Sequence, residues 1–140
     1  MATFPELERH VINRCRVETH GVGWLGLVWP LPGIDPVRVR FEQLSIAGEA
    51  YVGAVTGGCP AGRIAFGDLL AWNAQLPPGC TVVLHDGCLW LRYLAPVARL
   101  TPASVERLVT LVAREGARLL VAPGPLSLEA RTGLFACFAA

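Results

Sequence analysis

The sequence predicts an α+β domain, a five-stranded, mostly antiparallel sheet with helices gathered on one face. Three observations predict it. Short runs alternate apolar and polar residues at period two, as in VRVRF at 37–41. Asp86-Gly87 sits between two such runs, the strongest short hairpin signal. Apolar residues at helical spacing appear near both ends and once between strands.

The elements follow in order. Residues 3–16 read as a helix, with Thr3 and Glu6 at capping-box spacing and Phe4, Leu7, Val11 and Cys15 on one face. Val17 to Trp29 reads as one extended segment, ended by a stiff loop of Pro30, Pro32 and Pro36. Residues 37–46 form a strand whose apolar parity shifts at Leu44 and Ile46, so a bulge is expected near Glu42–Gln43. Ala47-Gly48 turns the chain into a third strand, EAYVGAVT, followed by a glycine-rich loop, GGCPAG. Residues 66–75 form a short helix with Leu69, Leu70 and Trp72 as its apolar contacts, stopped by Pro77-Pro78-Gly79. The hairpin over 80–93 supplies the last two strands. Thr101 is the N-cap and Pro102 the first residue of a helix carrying Val105, Leu108, Val109 and Val112. Gly116 either ends that helix or lies on its packing face. The chain reads as a single domain, 1–140, with a C-terminal extension over 121–140 whose Leu134, Phe135 and Phe138 need burial.

Composition narrows the function. Of the 140 residues, 53% are apolar and only 16% charged, against about 25% in typical soluble domains. Apolar surface is therefore expected to remain on the monomer, the mark of a subunit or partner interface. No run reaches the roughly 18 apolar residues of a membrane span. The N-terminus lacks the basic start and apolar core of a signal peptide. Five cysteines, an odd number, suit a reducing compartment, so a cytoplasmic protein is expected. Net charge is +1 and the twelve arginines are scattered, which argues against direct nucleic-acid binding.

The hairpin holds the residues that decide between chemistry and binding. A two-residue loop at Asp86-Gly87 pairs His85 with Cys88, Leu84 with Leu89, Val83 with Trp90, Val82 with Leu91, Thr81 with Arg92 and Cys80 with Tyr93. Cys80 then shares an apolar face with Val82, Leu84, Leu89, Leu91 and Tyr93, expected to meet the helices. Thr81, Val83, His85, Cys88, Trp90 and Arg92 lie on the other face. Cys80 and Cys88 on opposite faces cannot share one metal ion. The opposed pair His85 and Cys88 has the ingredients of an activated thiolate, but no third residue to orient the ring.

Other candidates are weighed the same way. Gly21, Gly23 and Gly26 spell G-x-G-x-x-G, yet Leu27-Val28-Trp29-Pro30 reads as strand and breaker rather than the helix a phosphate loop needs. Cys59 is an exposed-loop thiol with nothing near in sequence to lower its pKa. Glu18 and His20 are expected to share a strand face. Trp24, Trp29, Trp72 and Trp90 are expected mostly as core or interface anchors.

The order helix, three strands, helix, two strands, helix resembles the secretion chaperone-like fold of class I type III secretion chaperones and YbjN-like proteins. Leu69-Leu70 with Asn73, the hairpin with Leu84, Leu89 and Leu91, and Pro96 leading to Val105, Leu108 and Val112 carry the likeness. The near-neutral charge departs from the usually acidic secretion chaperones and sits better with the YbjN-like side. The resemblance implies a homodimer without cofactor or catalysis, holding a segment of a partner protein. Val83, Trp90 and Arg92 are the expected protein contacts, with Trp90 as anchor. Two other readings stay open, a thiol-dependent enzyme using Cys59 or Cys88, and a nucleic-acid-associated protein acting directly or through a partner.

Overall fold

A computed structural model describes residues 2–63 and 65–121. The chain begins with α1 (Phe4–Ile12), then runs through β1 (Arg16–Gly21), β2 (Trp24–Leu31), β3 (Ile34–Ile46) and β4 (Glu49–Pro60). A single 3-10 turn leads to α2 (Phe66–Gln75), followed by β5 (Cys80–His85), β6 (Cys88–Pro96) and α3 (Pro102–Val121). The strands form one antiparallel sheet in the order β1-β2-β3-β4-β6-β5.

The sheet therefore has six strands rather than the expected five. The stretch read as one extended segment, Val17 to Trp29, is two strands folded at Val22-Gly23, with Gly23 at φ +77°. A second turn, Pro32-Gly33, joins β2 to β3. Proline then glycine at the two central positions is the type II turn signal, because proline presets φ and glycine takes the positive φ. The prolines thus punctuate a hairpin instead of forming a stiff loop. Pro30 itself lies in β2, exposed, where the β2–β3 register shifts between Trp29 and Leu31, so its missing N–H breaks no regular ladder.

The expected bulge at Glu42–Gln43 is absent. The β3–β4 ladder runs unbroken from Arg40 to Ile46, so Leu44 and Ile46 simply fall on the opposite face from Val37, Val39 and Phe41. GGCPAG is not a loop either, since its first four residues continue β4, with a register shift between Gly57 and Cys59.

The helices form as expected, with changes at their ends. α1 is shorter than 3–16, and Thr3 makes no side-chain cap. α2 spans 66–75 as the sequence indicates. At α3, Thr101 caps with Ser104 in place of an acid. The Ser104 N–H donates to the Thr101 hydroxyl at 3.2 Å, and the Thr101 N–H donates to the Ser104 hydroxyl at 2.7 Å.

α1 and α3 cover one face of the sheet. Phe4, Leu7 and Val11 of α1 join Val105, Leu108, Val109 and Val112 of α3 over Leu25, Leu27, Val39, Phe41, Val52 and Ala54. Two polar ties fix this layer. Glu106 of α3 takes the His10 imidazole at 2.8 Å, and the Trp29 indole N–H donates to the Thr110 hydroxyl at 3.1 Å. α2 runs beside β5, where the Val82 N–H donates to the Asn73 side-chain carbonyl at 2.9 Å. The Cys80 N–H donates to the Pro77 carbonyl. That outer edge of the sheet is thereby partly closed to further strands. No helix among the described residues is long and apolar enough to cross a membrane. The expected C-terminal extension, with Leu134, Phe135 and Phe138, lies outside the described residues.

Candidate functional site: the helix-free sheet face

The hairpin register matches the sequence reading pair for pair, from Cys80 opposite Tyr93 to His85 opposite Cys88. Asp86 at φ +52° and Gly87 at φ +71° form the turn, both in the left-handed region that a two-residue hairpin requires. The faces separate accordingly. Cys80, Leu89 and Leu91 are buried on the helix side, whereas Val83, Cys88, Trp90 and Arg92 are half-buried on the other. Leu84 departs from the expected burial, for at the hairpin tip it is 64% exposed.

Following the ladder across all six strands extends that second face. Arg92 lies in register with Val55, Val55 with Arg40, Arg40 with Gly26 and Gly26 with Thr19. In the next row Leu94 meets Gly53, then Glu42 and Trp24. Leu44 and Tyr51 form a third row, and Trp90 pairs with Val83 beside the first. No helix among the described residues packs here. Trp24, Val28, Leu44, Tyr51, Val55, Val83, Trp90 and Leu94 are all half-buried, screened from the side by neighbours in the sheet.

Charges on this face are mostly matched in place. Arg38 grips Glu18 through two hydrogen bonds, at 2.8 and 3.1 Å. The bonded guanidinium, more than its charge alone, holds the Glu18 carboxyl below its ordinary pKa. Arg40 bonds Glu42 at 3.0 Å and stacks on the Trp24 ring at 4.6 Å. Arg92 differs. Its Nε is shielded from water and has no hydrogen-bond partner among the described residues.

The candidate chemical groups do not converge. The His85 imidazole turns to Asp86, with Nε2 at 3.3 Å from Oδ2, both side chains exposed. Cys15, Cys80 and Cys88 are free thiols. Cys59 lies in β4 opposite Leu89, in a strand rather than a loop, and its side chain is outside the described residues. Glu18 and His20 do not share a face. The register shift between Val17 and Thr19 leaves Glu18 bonded to Arg38 on the helix-free face, while His20 sits opposite Leu25, a helix-side residue. The glycines of the G-x-G-x-x-G string fall in β1, a turn and β2, with no helix after them. No group of three His, Cys, Asp or Glu among the described residues could hold a metal ion.

Burial pushes the Cys80 thiol up to about 12, with Glu115 adding a smaller push. Alkylation at mildly alkaline pH should therefore label Cys88 in the folded protein and reach Cys80 only on unfolding, as peptide mapping would read. The folded thiol titrates above the unfolded one, so its contribution is full below the ordinary thiol pKa and is lost as pH rises towards about 12.

Two polar residues have surroundings that the sequence reading did not give them. Glu115 is fully buried on α3. Its signal was available, three residues past Val112 on the apolar stripe. Asn73 closes the β5 edge, a role that only the placement of α2 discloses.

Comparison with protein-family models, curated proteins and solved structures finds no match to this chain.

Proposed function

We propose that this chain is a non-catalytic protein-binding module that holds polypeptide against its helix-free sheet face. One observation carries the reading. A face six strands wide bears half-buried Trp24, Tyr51, Val55, Val83, Trp90 and Leu94 and no covering layer among the described residues. Sheet faces are ordinarily either packed or polar, and a broad apolar one marks a binding surface. Val83, Trp90 and Arg92 sit at its β5–β6 end, where Trp90 is the aromatic anchor and Arg92 has a buried Nε without a hydrogen-bond partner among the described residues.

The element order suits the secretion chaperone-like arrangement with one strand added before α2, and we read the fold as a six-stranded member of that arrangement. Its free thiols suit work in the cytoplasm. The thiol-enzyme reading draws less from the geometry, since His85 engages Asp86. The nucleic-acid reading is weakened by Glu18 and Glu42, which already occupy Arg38 and Arg40.

Site-specific photo-crosslinking in the native cytoplasm tests the reading. A benzophenone amino acid at Trp90 should form protein adducts, and the same probe at exposed Arg107 on α3 should form few. Equal yields at the two positions would refute it.

A further inference from the structure

Among the described residues, three exposed large apolar side chains gather at one end of the β5 edge. Phe66 and Leu70 of α2 are 74% and 54% exposed, and Leu84 lies beside them on the helix side of β5. The other exposed ones, Ile12, Val22, Ile34 and Ile46, stand singly beside turns or at the end of α1. Two hydrogen bonds set α2 against the hairpin. Asn73, late in α2, accepts from the Val82 N–H, and the Ala61 N–H, ahead of α2, donates to the Gly87 carbonyl at 2.9 Å. α2 therefore starts towards the hairpin tip, where Leu84 lies. Phe66 and Leu70, four residues apart, share one helix face. A surface helix ordinarily turns polar side chains outward, whereas α2 buries Trp72 and still turns out a phenylalanine and a leucine.

We propose that residues 122–140 of the same chain cover this patch, with Leu134, Phe135 and Phe138 meeting Phe66, Leu70 and Leu84. That segment lies outside the described residues, and the inference goes beyond the protein-binding reading without depending on it. The course of α3 is the first argument. Its Thr110 meets Trp29 of β2, and its Gly116 meets Thr56 of β4. About 9 Å of helix separates those two points, and two strand spacings come to about 9.6 Å. α3 thus crosses the sheet from β2 towards β4, and the strand order continues β4-β6-β5. Its last turn heads for the β5 side, where the Glu115 charge already acts on Cys80 at the start of β5. Val121 delivers the chain to the patch.

Composition is the second argument. Between 122 and 140 only Glu129 and Arg131 are charged, against Leu126, Leu128, Leu134, Phe135 and Phe138. Such a segment gains by leaving water, as do Phe66, Leu70 and Leu84. Pro123-Gly124-Pro125 follows α3 directly, a string that breaks helical continuation and turns the chain. Connectivity then selects this occupant over others. Tethered at Val121, the segment meets the patch at an effective concentration in the millimolar range, far above that of a free partner at micromolar concentration. The helix-free face lies on the far side of the sheet from α3, so the patch is met first.

Photo-crosslinking in the purified full chain at micromolar concentration tests the proposal. A benzophenone amino acid in place of exposed Phe66 keeps an aromatic ring there. Irradiation should join it to a peptide from 122–140 at monomer mass, as digestion and mass spectrometry would read. The same probe at Arg107 should give no such adduct. Phe135→Asp combined with Phe138→Asp should lower the Phe66 yield by at least ~10-fold, with an unchanged far-UV spectrum. If that variant fails to fold, Leu70→Asp, which alters the exposed patch alone, should give the same loss. The proposal is overturned by adducts that avoid 122–140, by adducts with 122–140 at dimer mass only, or by a yield that the substitutions leave unchanged. Capture of 122–140 by a probe at Trp90 instead of Phe66 would place the segment on the helix-free face and overturn it too.

Discussion

Replacing Phe41 by alanine is expected to cost about 3–5 kcal/mol, enough to threaten the fold of a domain of ordinary stability. Phe41 is fully buried at the middle of β3, with its ring stacked on Phe4 at 5.6 Å between centroids. Leu25 and Ala54 flank it across both ladders. Truncation would remove the ring contact between α1 and β3 and leave a cavity that rigid strands on both sides cannot close. Urea denaturation followed by far-UV circular dichroism would read the loss as a lower midpoint at unchanged slope. Ile34, on the same strand but 52% exposed at a hairpin end, supplies the contrast. Its alanine variant should stay within about 0.5 kcal/mol of the parent. Equal losses at the two positions would mean that the core is not where the packing of α1 and α3 puts it.

How far the sequence disclosed the structure depended on whether the signal was local. The Asp86-Gly87 hairpin was readable to the residue because the turn type fixes the register, and register fixes the faces. The limits of α2 were readable for a similar reason, since prolines and a glycine stop it at a defined place. The strand count was not, because no proline, asparagine or aspartate marks the Val22-Gly23 turn. A turn carrying an exposed valine gives no polar punctuation. The parity change at Leu44 misled because a sheet with one uncovered face can hold apolar residues on both sides without a bulge. The candidate site was half legible. Val83, Trp90 and Arg92 follow from the hairpin alone, whereas Trp24, Leu44, Tyr51 and Val55 join them only through the ladders of three further strands. Long-range pairing of that kind leaves no mark on a single stretch of sequence.

Gly116→Ala is the second large effect, and its sign runs against helix propensity. Alanine within a helix is ordinarily favoured over glycine by about 1 kcal/mol. Gly116 lies inside α3, against buried Thr56 of β4. A methyl group there would overlap the Thr56 Cγ2, with Cβ and Oγ1 also close at 3.1 Å. Thr56 cannot turn aside freely, because its hydroxyl donates to the Arg38 carbonyl at 2.8 Å. Rotating it would forfeit that bond, worth about 0.5–1.5 kcal/mol, and moving α3 would open the core beneath Val112 and Ala113. Overpacking of this kind costs about 1–3 kcal/mol, so a net destabilisation is expected despite the better helix former. The cause is separable from a general intolerance of the helix by a double-mutant cycle. Thr56→Ser removes the obstructing methyl and keeps the hydroxyl on the Arg38 carbonyl. In that background Gly116→Ala should be close to neutral in thermal and urea denaturation. If it destabilises both backgrounds equally, the close approach of α3 to β4 at Thr56 is not what requires glycine.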